Sequence, residues 1–194
     1  MSKALNSNVF TYKDYLKLPE EERGELIDGQ FFSKAYASPS RLHQKTLLEL
    51  ALQIGSFLKT KETTCELYVA PFDVILALEN ETIEDVKNVV QPDLLIICDP
   101  QKLTEKGCLG APDLIIEIVS PTSYRLDYVL KLNLYDKFQV KEYWIVNPET
   151  KTVLIYRQDN DQGFGEPEKY TIPSFVSSSV LPGLTISTEQ IFND

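Results

Sequence analysis

The segment from Gly110 to Pro148, GAPDLIIEIVSPTSYRLDYVLKLNLYDKFQVKEYWIVNP, constrains the fold more than any other. Asp113 to Val119 and Glu142 to Val146 are short runs of branched and aromatic residues bounded by Gly, Pro and Ser, the signature of buried strands. Between them, Ser123 to Gln139 has helical periodicity and the length of a crossover. Strand, helix, strand in that order predicts a parallel pair with a right-handed connection. The strand-like pieces upstream favour antiparallel pairing. The expected class is therefore α/β of the α+β type, a mixed central β-sheet flanked by helices.

Upstream, Thr11 and Asp14 are spaced as a capping pair for a short helix, and Asp28-Gly29 in ELIDGQFF is a two-residue hairpin turn. A long helix is expected from Arg41 to Lys59, with Leu47, Leu50, Ala51, Ile54 and Leu58 on its buried face. Cys65 to Leu78 reads as strand bent at Pro71, Val89 to Cys98 as one buried strand, and Asp99 to Ala111 as a loop. Downstream, Thr152 to Arg157 and Glu168 to Ile172 read as strands, and Ser187 to Phe192 as a terminal helix. Length and the absence of repeats predict one domain over residues 1–194, with the core motifs in 89–148.

Carboxylates mark the chemistry. Glu117 lies inside an apolar strand, and buried carboxylates are rare unless paired or metal-bound. Alternation puts Asp113, Ile115, Glu117 and Val119 on one face of that strand. Asp93, heading QPDLLIICDP, shares a face with Leu95 and Ile97. If the two strands are neighbours, Asp93 and Glu117 converge, and their oxygens suit Mg²⁺ or Mn²⁺. On the crossover, Leu126, Leu130, Leu134 and Phe138 form the expected core stripe. Asp127, Lys131 and Tyr135 form an adjacent stripe at its margin, from which Lys131 reaches toward the carboxylates. The bland alternatives are turn aspartates at 93 and 113 and an ordinary Asp127–Lys131 helical ion pair.

Composition narrows the classes. The net charge of −10 disfavours attraction to bare nucleic acid or anionic membrane, although bound divalent cations cancel acidic charge locally. Three cysteines and one histidine in no metal-ligand spacing argue against zinc. Residues Met1 to Phe10 lack an apolar core, and no run approaches a membrane span. The expectation is a reduced, cytoplasmic protein with no membrane partner.

QPD, PDLIIEIVSP, the Asp127–Lys131–Tyr135 stripe and VKEYWIVNP together resemble the Uma-two family of restriction-endonuclease-like proteins, within the PD-(D/E)XK nuclease superfamily. ELIDGQ and the serine, proline and His43 before the long helix extend the resemblance over most of the chain. It implies a restriction-endonuclease-like core acting on DNA with a divalent metal. By position, Asp93 and Glu117 match the motif's metal-binding acids. The superfamily lysine, two residues after the glutamate, is replaced by Val119, and Lys131 is the matching substitute. Glu25 corresponds to an accessory acid, and Asp113 and Asp127 are the other accessory candidates. His43 reads as a capping or packing histidine, with no neighbour in sequence to orient it as a base. The expected function is Mg²⁺-dependent endodeoxyribonuclease, acting as a homodimer. The alternatives are a catalytically inactive nuclease-fold module for DNA or protein binding, and a structural oligomer-forming domain.

Overall fold

The computed structural model describes residues 9–33, 39–120, 123–159 and 162–193. Its centre is a mixed sheet. Parallel strands Leu114–Ile118 and Glu142–Asn147 lie side by side, as the crossover pattern requires, with Glu142 opposite Leu114 and Val146 opposite Ile118. Leu94–Ile97 pairs antiparallel with the first of these, and Glu66–Val69 lies outside it. Thr152–Asp159 flanks the other side, antiparallel to Glu142–Asn147, and carries Gly163–Phe164 and Glu168–Thr171.

Side-chain alternation divides the interior. Leu114, Ile116, Ile118, Trp144 and Val146 face the long helix Arg41–Lys59, packing on Leu50 and Ile54. The C-terminal hairpin of Phe175–Ser177 with Thr185–Ser187, and the helix Thr188–Ile191, close that layer. Ile115, Val119, Tyr143, Ile145, Leu95 and Ile97 face the other way, toward the crossover helix and a second sheet. That second sheet begins with Glu25–Ile27 and Gln30–Phe32, joined by Asp28 at φ 46° and Gly29 at φ 78°, the left-handed pair that the Asp-Gly turn demands. Val89–Val90, Asp73–Ile75, Gly107–Leu109 and Leu103–Thr104 complete it.

Several expectations need correction. Val89 to Cys98 is not one strand: Val89–Val90 belongs to the second sheet, and Leu94–Ile97 to the central one. Pro92 lacks the N–H a continuing ladder needs, and the chain steps between sheets at Gln91-Pro92-Asp93. Cys65 to Leu78 divides in the same way at the cis Ala70–Pro71 bond. The stretch from Asp99 to Ala111 is a hairpin, one arm of which runs parallel to Asp73–Ile75. At Gly107 (φ 146°) a Cβ would stand 2.1 Å from the Asp73 carbonyl oxygen, so only glycine permits that approach. Cys65 and Cys98 form a disulfide, against the expectation of reduced thiols. The Glu66–Ile97 pairing, extended by one residue, sets them directly opposite.

The crossover also differs. Leu126–Lys131 is wound as a π-helix and continues as α-helix over Leu132–Lys137. The stripe expected at the margin is the buried one: Asp127, Lys131 and Tyr135 are covered, whereas Leu126, Leu130 and Phe138 are only partly so. Two buried glutamates on the sheets face this helix and need a cation, which the polar stripe supplies.

Candidate active site

Asp93 and Glu117 come from adjacent antiparallel strands. Leu94 stands opposite Ile116, so extending the ladder by one residue sets Asp93 opposite Glu117. Asp93 Oδ2 accepts the Ile118 backbone N–H at 2.8 Å, which fixes the carboxylate against the neighbouring strand. His43 Nε2 lies 3.2 Å from the same oxygen. The histidine sits in the first turn of the long helix, whose cap is Ser40 accepting the His43 N–H. Sequence spacing gave His43 no orienting neighbour; the fold provides one across fifty residues. Burial pushes the Asp93 carboxyl upward, but the His43 contact and the Ile118 N–H outweigh it and hold the group below its ordinary value.

Behind Asp93 lies a nearly dry ionic cluster centred on Lys131. Its Nζ stands 2.8 Å from Glu117 Oε1, 2.9 Å from Glu25 Oε1 and 3.6 Å from Asp127 Oδ1. All four side chains are at most 4% exposed, whereas Asp93 is 21% exposed and forms the open edge. The Tyr135 hydroxyl donates to Glu117 Oε1 at 2.9 Å, and the Gln91 N–H donates to Glu25 Oε1 at 2.9 Å. Gln91 Nε2 in turn donates to Asp73 Oδ1 at 2.7 Å, tying the crossing segment to the second sheet.

Three acids around one ammonium set the electrostatics. Burial drives the Glu117 carboxyl well above its ordinary value, opposed by Lys131, with Asp127, Asp93 and Glu25 adding to the rise. Asp127 shifts upward for the same first reason, opposed by Lys131 and by its Ser123 hydrogen bond. Burial alone would lower Lys131, but the three acids overcome it, and the ammonium stays protonated far into the alkaline range.

Asp113 joins none of this. It lies at the opposite end of its strand, where it accepts the Cys98 N–H at 2.8 Å and the Lys141 ammonium at 2.6 Å. Val119 is buried in the apolar layer between the sheets. Among the described residues no group of three or more His, Cys, Asp or Glu side chains is arranged to hold a metal ion. Tyr135, as the donor that orients Glu117, and Gln91, as the backbone donor that orients Glu25, did not emerge as site residues from the sequence. The spacing of Tyr135 from Lys131 was visible. Gln91 carried no signal, because its role depends on which sheet each side of Pro92 joins.

The profile of the Uma2 family, described as "Putative restriction endonuclease", matches residues 12–189. An uncharacterised protein of Synechocystis sp. is 24% identical over 152 residues, covering 77% of this chain and 74% of the relative. A crystal structure described as a "putative nuclease belonging to DUF820", from Anabaena variabilis, superposes with a TM-score of 0.75 at 23% identity, covering 94% of this chain and 97% of that one. This likeness shows the fold; the match along nearly the whole sequence places the chain in the Uma2 family.

Proposed function

We propose that this chain is a divalent-metal-dependent endodeoxyribonuclease that hydrolyses DNA phosphodiester bonds, with Asp93 and Glu117 holding Mg²⁺ or Mn²⁺. The observation that carries the proposal is the pairing of a partly exposed Asp93 with a buried Glu117 already tied to a lysine. The donor chemistry fits the ion: Mg²⁺ keeps several waters and takes one or two protein carboxylates. When bound it would polarise a phosphate oxygen and acidify a coordinated water.

The chain's own groups have separable tasks. Ile118 N–H and His43 aim the Asp93 carboxylate. Tyr135 fixes the rotamer of Glu117. Lys131 carries the positive charge that would orient the attacking water and offset charge developing on the phosphate. Asp127 and Glu25 hold that ammonium in place. Cutting both strands of a duplex calls for two such sites, so the proposal includes a homodimer acting on DNA in the cytoplasm.

The test is plasmid and oligonucleotide cleavage with Mg²⁺ or Mn²⁺. Wild type should cut, whereas Glu117→Gln and Lys131→Ala should lose about 10²-fold or more, the scale of removing one transition-state contact. Equal cleavage by all three would refute the assignment. One observation favours a second reading, a nuclease-fold module that binds DNA or a protein without cutting: the Lys131 ammonium is already engaged by three carboxylates. Calorimetric titration with Mg²⁺ separates the two, since the module would take up no ion at millimolar concentration.

A further inference from the structure

We propose that Tyr124 is a stacking platform for the nucleobase flanking the phosphate at Asp93, so that the preferred substrate is DNA whose base beside the cut can leave its stack. The inference rests on the nuclease reading above and deepens it by naming a substrate feature and the residue that reads it.

Tyr124 opens the crossover helix and keeps 37% of its surface exposed, unlike the buried Tyr135 and Tyr143 further along. One face of its ring is covered by Tyr128, with centroids 5.4 Å apart and planes 15° from parallel. Its hydroxyl accepts from Asn147 Nδ2 at 2.7 Å. That amide is itself set by the turn after its strand, since Asn147 Oδ1 accepts the Glu149 and Thr150 N–H groups at 3.0 Å each. The ring is therefore held by one face and by its hydroxyl, while 37% of the residue stays accessible to a ligand. A surface aromatic that served only to cap the helix would need neither the second ring nor the fixed hydroxyl.

Its position relative to the carboxylates follows from the register. Asn147 comes directly after Val146, Val146 pairs with Ile118, and the Ile118 N–H binds Asp93. The tyrosine's anchor and Asp93 thus lie at one end of the sheet, two strand spacings apart, or about 10 Å. That is the scale of one nucleotide. Arg125, exposed beside Tyr124, supplies a cation for the backbone in an otherwise acidic chain. Base–aromatic stacking tolerates any sequence, because every base has a π-face.

The experiment compares wild type, Tyr124→Ala and Tyr124→Phe on Mg²⁺-supported cleavage of one oligonucleotide, intact or with a single abasic site at each position near the cut. Tyr124→Ala should lower kcat/KM about 5- to 150-fold on intact DNA. Tyr124→Phe, which keeps the π-face and the Tyr128 contact but loses the Asn147 anchor, should fall between wild type and Tyr124→Ala. At one flanking position, removing the base should cost wild type the same factor and cost Tyr124→Ala nothing more. A 2-aminopurine at that position should change fluorescence on mixing with wild type and not with Tyr124→Ala. A loss that is the same on intact and abasic DNA at every position, or no loss at all, overturns the platform while leaving the nuclease standing. Failure of wild type to cleave or bind any DNA overturns both.

Discussion

Replacing Lys131 by methionine keeps an unbranched side chain of similar length and removes the charge together with the N–H donors that serve Glu117. The ammonium lies within 2.8, 2.9 and 3.6 Å of three carboxylate oxygens. At an effective dielectric near 20, the two short contacts are each worth about 6 kcal/mol of gross Coulomb energy and the longer Asp127 contact about 4.5 kcal/mol. Most of that offsets the desolvation of the ions themselves, and breaking a buried pair by deleting one partner nets a loss of about 3–5 kcal/mol. For a chain of this length 1 kcal/mol corresponds to about 2–4 °C, so melting near pH 8 should fall by roughly 6–20 °C. The sign of the pH dependence is fixed by Glu117 and Asp127. Both carboxyls are raised in the folded state, so the native protein binds more protons than the unfolded chain, and acidification favours it. In the variant those acids can neutralise once the lysine is gone, and the deficit near pH 5 should be clearly smaller than near pH 8. Thermal melts followed by circular dichroism at the two pH values decide the matter. A melting point at pH 8 within about 2 °C of wild type, or a deficit that widens toward acid, would refute the reasoning.

Glu117→Gln mimics the neutral acid; the group's stabilising effect is complete below its unfolded pKa and fades as pH rises toward its folded value of about 8, so the variant's melting point should vary less over that window, as differential scanning fluorimetry can show. Asp93 behaves oppositely: its depressed pKa contributes stability above the ordinary carboxylate range that is lost as pH falls through the folded value, and Asp93→Asn should flatten the acid limb of a urea-stability profile. Glu142 is fully buried and accepts the Trp144 Nε1–H at 2.6 Å and the Ser179 N–H at 2.7 Å. Glu142→Ala should therefore cost about 3 kcal/mol or more in urea unfolding, by stranding two donors and the Arg157 side chain 3.3 Å away.

Local rules made part of this legible. The Asp28-Gly29 turn, the helix Arg41–Lys59 and the parallel pair around the crossover follow from turn chemistry, period and connection length, and all three are present. Alternation places Asp93 and Glu117 on their strand faces, and the pairing that sets them opposite needs only that the strands be neighbours, which they are. Apart from the local hairpin of Leu103–Thr104 with Gly107–Leu109, the failures are tertiary. The apolar stretch from Val89 to Cys98 has one composition, yet it serves two sheets. Hydrophobicity points to Leu126, Leu130, Leu134 and Phe138 as the crossover's buried stripe, a rule that holds when a helix packs on an apolar surface. Here the surface carries Glu25 and Glu117, so the charged side of the helix turns inward. Glu25 meets Lys131 across more than a hundred residues, and no sequence window contains that contact.

The shared ammonium also bears on when the site is assembled. Glu117 belongs to the central sheet, Glu25 to the second sheet and Lys131 to the helix beside them, so one cation joins three separately formed elements. Docking the sheets and positioning these groups are then the same event. A molecule that has reached its native state has already expelled water from around them and fixed their rotamers. That ordering is completed during folding, and an arriving ligand meets groups with little entropy left to lose. The corollary is a narrow tolerance to change: substitutions at these positions alter the architecture and the chemistry together, and measurements on them need a stability readout beside any functional one.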